Sequence, residues 1–322
     1  MKLLISYLTN QNRDYTFRHF IHLLDKSIYK NQWKLFILID SDDSTFYTEE
    51  LKQVSIPNVE IQDFCYADNY IWKLRHSCDV AIQENIPYIM KCDNDIFMTA
   101  PTFDFMFENL EKLAGKDETN QNKHLTLGPV LSTGIPTVEY FMEQFMDHDA
   151  VDFLRELFLQ TEFVNRDNTK YKQLNAHTLY SEKWNKNDFF ENLKNTVYPL
   201  RGIHPIRIND EAIRFMNQYL LTHKDLFYQH WDKEIICDIS APYLCNSVFC
   251  IRTDMYHSIL YDHKLFRDAY DEVPLNKYAW NHNMDHLFVK NGFAIHMYYN
   301  WNKDYIAGEK EFCQEFFGDS YS

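Results

Sequence analysis

Residues 3–8, Leu-Leu-Ile-Ser-Tyr-Leu, form a nearly unbroken apolar run that turns polar at Thr9 and Asn10. A run this short, closed by turn-forming residues, reads as a buried strand. Asp14 stands where a helix cap belongs, ahead of Phe17, Phe20, Ile21, Leu24 and Ile28 at helical spacing. Residues 33–39 read as a second strand, ended by Asp-Ser-Asp-Asp-Ser, and a short helix follows near 47–53. Residues 59–64 make a third strand. Asp68 then heads a helix that carries Ile71, Leu74, Cys78, Ala81 and Ile82 on one face. Residues 88–92 are a fourth strand whose side chains do not alternate in polarity, as expected of a strand buried on both faces.

This β-α-β-α-β-α-β order predicts a parallel sheet with right-handed crossovers. In such sheets ligands bind beyond the carboxyl ends of the strands. Polar clusters fall at three of those ends: 7–10, 40–44 and 93–95. Residues 1–115 therefore read as the ligand-binding half of one continuous domain, and 116–322 as its second half. In that second half the pattern predicts strands at 125–129, 234–239, 248–252 and 294–298. It predicts helices at 138–146, 210–221 and 284–291. The polar, Asn- and Lys-rich stretch about 161–205 is read as an irregular insertion.

Composition narrows the chemistry. Net charge is -15, from 47 acids and 32 bases, so the chain repels phosphate backbones and nucleic acid is not an expected partner. Glycine numbers only 7 of 322, and neither G-x-G-x-x-G nor a Walker A loop is present, which sets aside dinucleotide oxidoreductases and P-loop kinases. Apolar runs such as 35–39 fall far short of the ~20 residues that span a bilayer, and 1–10 lacks the apolar core of a secretion signal. The seven cysteines include no C-x-x-C pair, and Cys78, Cys92 and Cys250 sit in apolar runs, as reduced core thiols do. Together these features predict a soluble, cytoplasmic protein.

Asp-x-Asp occurs at Asp40/Asp42, Asp93/Asp95 and Asp147/Asp149. The last pair reads as a solvated helix end. Asp40 and Asp42 close the second strand and suit either a turn or a nucleotide contact. Asp93 and Asp95 directly follow the buried fourth strand. Hard oxygen ligands there can hold Mg²⁺ or Mn²⁺, with other positions left to water and phosphate oxygens.

Four segments in order, ISYLTN (5–10), LFILIDSDDS (35–44), the helix DNYIWKLRHSCDVAIQENI (68–86) leading into YIMKCDNDIF (88–97), and NHNMDHLFVKNGFAIHMYYN (281–300), resemble the glycosyltransferases of GT-A fold, which use nucleotide-sugar donors. The stretch between 116 and 280 carries no part of the resemblance. What it implies is an α/β fold with a Rossmann-like, mostly parallel central sheet flanked by helices and a mixed C-terminal half that receives the acceptor. It implies a nucleoside-diphosphate-sugar co-substrate, Mn²⁺ or Mg²⁺, and a hydroxyl acceptor on a glycan or protein. Asp95, with Asp93, would bind the metal, and His296 would complete its shell. Asp93 also faces the donor. Asp40 or Asp42 would contact base or ribose, and Tyr7 and Thr9 would line the base pocket. Lys73 or Arg75 would meet ribose or diphosphate. Asp285 matches the acid that deprotonates the acceptor, which favours inversion.

Plainer roles fit several of these residues: core packing for His296, helix capping for Asp285, and a solvated helix surface for Lys73 and Arg75. Two other functions remain compatible with the pattern. One is a phosphohydrolase of haloacid-dehalogenase type using Asp93 and Asp95. The other is a non-catalytic, sugar-binding protein built on a degenerate transferase fold.

Overall fold

The computed structural model describes residues 1–9, 14–40, 43–63, 70–115, 123–132, 137–164, 170–172, 205–207, 209–224, 239–241, 244, 247–262, 272–296, 311–312 and 314–316. The chain is a mixed α/β protein that divides into two compact units. The first is Met1–Pro129 with Lys233–His296 and Ser320–Ser322, and the second is Val130–Asp232 with Met297–Asp319. Residues 233–296 thus belong to the first unit.

The first unit is built on the alternation read from the sequence: β1 (Leu3–Thr9), α1 (Asp14–Asp25), β2 (Trp33–Ile39), α2 (Thr45–Leu51), β3 (Val59–Asp63), α3 (Tyr70–Gln83) and β4 (Tyr88–Asp93). Strands β3, β2, β1 and β4 lie side by side and parallel. Leu3, Leu4, Ile5 and the whole of 35–39 are fully buried, because helices cover the sheet on both faces. On one face Phe17, Phe20, Ile21 and Leu24 of α1 are buried, and Phe20 stacks on Tyr7 of β1 with centroids 4.5 Å apart. Each such side chain contributes about 1.5–3 kcal/mol on leaving water. On the other face Ser77 of α3 meets Ser6 of β1 through hydroxyls 2.7 Å apart.

Beyond β4 the sheet becomes mixed. It continues through β5 (Ile96–Phe97), β6 (His124–Leu131), β9 (Ile239–Ala241), β10 (Val248–Arg252) and β11 (Asp285–His296), while β7 (Glu162–Val164) and β8 (Lys170–Lys172) pair antiparallel as a separate two-stranded sheet. The order across the sheet is β3-β2-β1-β4-β10-β6-β11-β5, with β9 on β11. Strand β10 runs antiparallel to β4 and β6. The end of β11 runs antiparallel to β5, with His296 opposite Ile96.

Several expectations are corrected. Residues 284–291 are not a helix: one strand runs from Asp285 to His296, and its register against β9 and β5 outweighs the helical spacing of the apolar residues. Helices α4 (Ala100–Glu108) and Glu272–Asn281 carry weak amphipathic contrast, and Thr253–Leu260 is only 8 residues long, so the apolar pattern did not mark them. Asp147 does not end a helix. It caps the start of α6 (His148–Gln160), accepting from the Ala150 N–H at 2.9 Å. Residue 239 alone of the strand expected at 234–239, residues 294–296 of that expected at 294–298, and neither Asp68 nor most of 161–205 fall within the described residues.

In the second unit α5 (Thr137–Phe145) and α6 are joined by α7 (Asp210–Thr222). Asn209 caps α7 through the N–H groups of Glu211 and Ala212, and its amide donates to Thr161 Oγ1 at 2.8 Å, tying that helix start to the end of α6. Tyr219 of α7 donates to Asp147 at 3.0 Å. Among the described residues no helix is long and apolar enough to cross a membrane.

Candidate active site at the carboxyl edge of the parallel strands

Register sets the site. Leu8 lies opposite Asp93, and Thr9 lies opposite Ile39, so Thr9, Asp40 and Asp93 end three adjacent strands at one edge. The turn Asn94–Asp95 follows, and β5 brings the end of β11 beside it.

The turn is anchored from within by Asn94. Its side chain is buried and donates to Thr9 Oγ1 at 3.3 Å, while Thr9 Oγ1 also meets the Tyr47 hydroxyl of α2 at 3.2 Å. Thr9 therefore joins β1, α2 and the acidic turn, and only 3% of it is exposed. Tyr7 sits deeper, 1% exposed, with its hydroxyl 3.3 Å from Thr16 Oγ1. Burial, with smaller pushes from neighbours including Asp95, raises its phenol well above the ordinary value. Both residues expected to line a base pocket thus support the strand end from behind.

Asp93 and Asp95 face different partners. Asp93 Oδ2 is 2.5 Å from the ammonium of Lys91, and its Oδ1 accepts from the Tyr70 hydroxyl at 3.4 Å. Asp95 Oδ2 lies 3.5 Å from Nε2 of His296, a residue of which only 6% is exposed. That gap exceeds a good N–H···O bond. It is near the roughly 3 Å between neighbouring ligands of an octahedral ion with bonds of about 2.1 Å. One hard oxygen and one imidazole nitrogen suit Mn²⁺ or Mg²⁺ whose other positions are filled by water and phosphate oxygens. The pair therefore fits the implied ion as a two-ligand site. Among the described residues no group of three or more His, Cys, Asp or Glu side chains could enclose a metal.

Asp40, half-exposed at the end of β2, is ion-paired with Lys73 of α3. The lysine is 3% exposed, and burial lowers its pKa to about 8. Asp42 lies outside the described residues. Arg75 is placed differently. Its Nε donates to the Leu260 carbonyl at 2.9 Å, and its guanidinium lies over the rings of Trp72 (5.5 Å) and Tyr261 (5.0 Å). Arg75 joins α3 to α8 (Thr253–Leu260) rather than facing the strand ends.

Asp285 is not brought to this site. Its N–H donates to the Lys123 carbonyl at 2.9 Å, at the start of β6. Thr126 of β6 lies opposite Ile251, and Ile251 lies opposite Ile89 near the start of β4. At about 3.3 Å per residue this places Asp285 about 20 Å down the strands from the acidic turn. The sequence motif joined Asp285 to His296 through a helix. A continuous strand instead carries them toward opposite ends of the sheet. Around Asp285, burial lowers the pKa of His124 against the opposing charge of Asp285, and buried His286 meets Thr126 Oγ1 at 2.8 Å.

Sequence reading did not single out Lys91, Asn94, Tyr47 or Tyr70. Lys91 had a visible signal: it is the charged residue inside the otherwise apolar run of β4 before Asp93. The others are recognisable only once strand register brings distant segments together.

No protein-family model and no curated protein matches the chain. Among solved structures it is similar to that of GalNAc-T7 with UDP, GalNAc and Mn²⁺, at 9% identity and a TM-score of 0.48, over 93% of this chain and 44% of that one. It is also similar to the structure of S. aureus TarS 1–349 in complex with UDP-GlcNAc, at 13% identity and a TM-score of 0.29, over 39% of each chain. The chain thus spans less than half the length of either.

Proposed function

We propose that this protein is a glycosyltransferase that takes a sugar from a nucleoside-diphosphate-sugar donor to a hydroxyl acceptor with the help of Mn²⁺ or Mg²⁺. The observation that carries the reading is the pairing of Asp95 with His296 at 3.5 Å, beside the carboxyl ends of parallel strands. Ligands of open α/β sheets bind at that edge.

Asp95 and His296 would hold the ion, which when bound stabilises negative charge on the departing nucleoside diphosphate. Asp40, at the end of β2 and half-exposed, is the carboxylate offered to ribose or base hydroxyls, and Lys73 fixes its direction. Asn94 holds the acidic turn against Thr9, so the carboxylate of Asp95 is set before a donor arrives. Asp285, about 20 Å down the strands from the acidic turn, has no part as acceptor base in this reading. Inversion rested on that residue, so the donor half of the site carries no stereochemical outcome.

The test is calorimetric titration of UDP, GDP, CMP and dTDP with and without Mn²⁺, on the wild type and on Asp95→Ala. One nucleotide should bind the wild type in an Mn²⁺-dependent way, and the variant should lose that dependence while keeping its melting temperature. Absence of Mn²⁺-dependent binding for every nucleotide would refute the reading.

A further inference from the structure

The two carboxylates of the acidic turn have unequal surroundings, and a buried lysine accounts for the difference. The Lys91 side chain is 0% exposed in the middle of β4, between Ser6 of β1 and Phe249 of β10. A buried ammonium is tolerated only with close compensation. Here the compensation is Asp93, 2.5 Å away, and the ring face of Tyr70, 5.4 Å away. Residues 91 and 93 are two apart in a strand, so their side chains leave the same face of the sheet. On that face α3 supplies Tyr70, whose hydroxyl approaches the second oxygen of Asp93. Both oxygens of Asp93 therefore already have donors from the fold. Asp95 lies past the end of the strand, outside this arrangement, and meets His296.

We infer that Lys91 is a positioning residue that engages Asp93, so that the turn takes up a single divalent cation through Asp95 and His296 and Asp93 is not a metal ligand. This rests on the metal-dependent reading above. The charge argument is direct. An ion on Asp93 would stand against the enclosed ammonium, whereas an ion on Asp95 and His296 leaves the Lys91–Asp93 pair intact. The ion then meets one carboxylate of the turn, that of Asp95, rather than two. The turn binds it weakly enough that the diphosphate completes the shell.

The experiment measures Mn²⁺ binding to the full chain, by loss of the free-ion signal in electron paramagnetic resonance, with and without UDP. Melting temperatures are recorded in parallel. Asp93→Asn leaves the enclosed ammonium uncompensated and so should weaken Mn²⁺ binding while keeping one ion, and Asp95→Asn should lose about tenfold or more. Lys91→Met releases Asp93 and removes a nearby positive charge, so it should bind Mn²⁺ about tenfold more tightly or take a second ion. The double variant Lys91→Met/Asp93→Asn replaces the ion pair by a neutral one. It should return to wild-type stoichiometry and affinity, which keeps the test decisive if Lys91→Met fails to fold. A Lys91 that only fills the core would lower the melting temperature of Lys91→Met and leave Mn²⁺ affinity unmoved, overturning the inference. A loss in Lys91→Met/Asp93→Asn equal to that of Asp95→Asn would overturn it too, yet leave the metal-dependent reading standing. Undiminished Mn²⁺ binding by Asp95→Asn would instead defeat that reading and the inference together.

Discussion

Asp285→Asn should leave transfer essentially unchanged, although the sequence motif marks Asp285 as the acceptor base. The substitution keeps size and hydrogen-bonding capacity and removes one negative charge. The Asp285 N–H is held by Lys123, and strand register puts the residue about 20 Å from the acidic turn. At that distance in water two unit charges interact by about 0.2 kcal/mol before screening. The ~8 Å Debye length at physiological salt reduces this by about a further factor of ten. The expected change in rate is therefore less than about 1.5-fold, since a tenfold change needs about 1.4 kcal/mol. A general base in contact with the acceptor hydroxyl behaves otherwise: its loss costs about 10²–10⁴ in rate.

The assay is release of nucleoside diphosphate from the donor identified by calorimetry, followed for wild type, Asp285→Asn and Asp95→Ala at fixed Mn²⁺. Asp285→Asn should track the wild type in kcat and KM, and Asp95→Ala should lose turnover. A fall of about 100-fold in kcat for Asp285→Asn, with melting temperature unchanged, would refute the register argument. It would mean that the working enzyme pairs β11 differently.

Lys73→Met should abolish a pH-dependent gain in stability. The folded pKa of Lys73, about 8, lies below the ordinary 10.5, so between these values the unfolded chain holds a proton that the folded one lacks, and stability rises with pH. The interval caps the effect at about 3 kcal/mol, and the half-exposed Asp40 beside the ammonium reduces it to about 1–2 kcal/mol. A wild-type-minus-variant difference in urea stability that stays flat from pH 7.5 to 10 would sink this. His19 gives an acid limb. Burial lowers its pKa to about 4 from 6.5, while its Nε2 lies 2.8 Å from the Met98 carbonyl. Stability is therefore lost as pH falls from 6.5 toward 4, by up to about 3 kcal/mol, and His19→Gln should flatten that limb in acid denaturation. Gly128→Ala would place a Cβ 3.1 Å from the backbone oxygen of Val248, and overpacking against backbone should cost about 1–3 kcal/mol in chemical denaturation. No loss would show that β6 and β10 part easily there.

The boundary between what could and could not be read in the sequence follows the physics of each signal. Strands β1, β2 and β4 were legible because burial on both faces makes a continuous apolar run, and α1 because it buries one face only. Asp93, Asp95 and Asp40 were legible as strand-end carboxylates because parallel topology makes those ends converge. Periodicity cannot report pairing register. Phe288, Ala294 and Ile295 lie in an apolar segment that fits either helix or strand, and only pairing with β9 and β5 decides for strand. That choice moves Asp285 to one end of the sheet and leaves His296 at the other. The same reason separates Tyr7 and Thr9 from a pocket surface: the buried face of β1 is visible in the pattern, but Thr16, Tyr47 and Asn94 close over it only in three dimensions. Lys91 was the exception, a charge placed where the pattern demands an apolar residue. A buried charge needs its partner in the fold, and the structure supplies it: Lys91 pairs with Asp93, while Asp95 of the same turn meets His296.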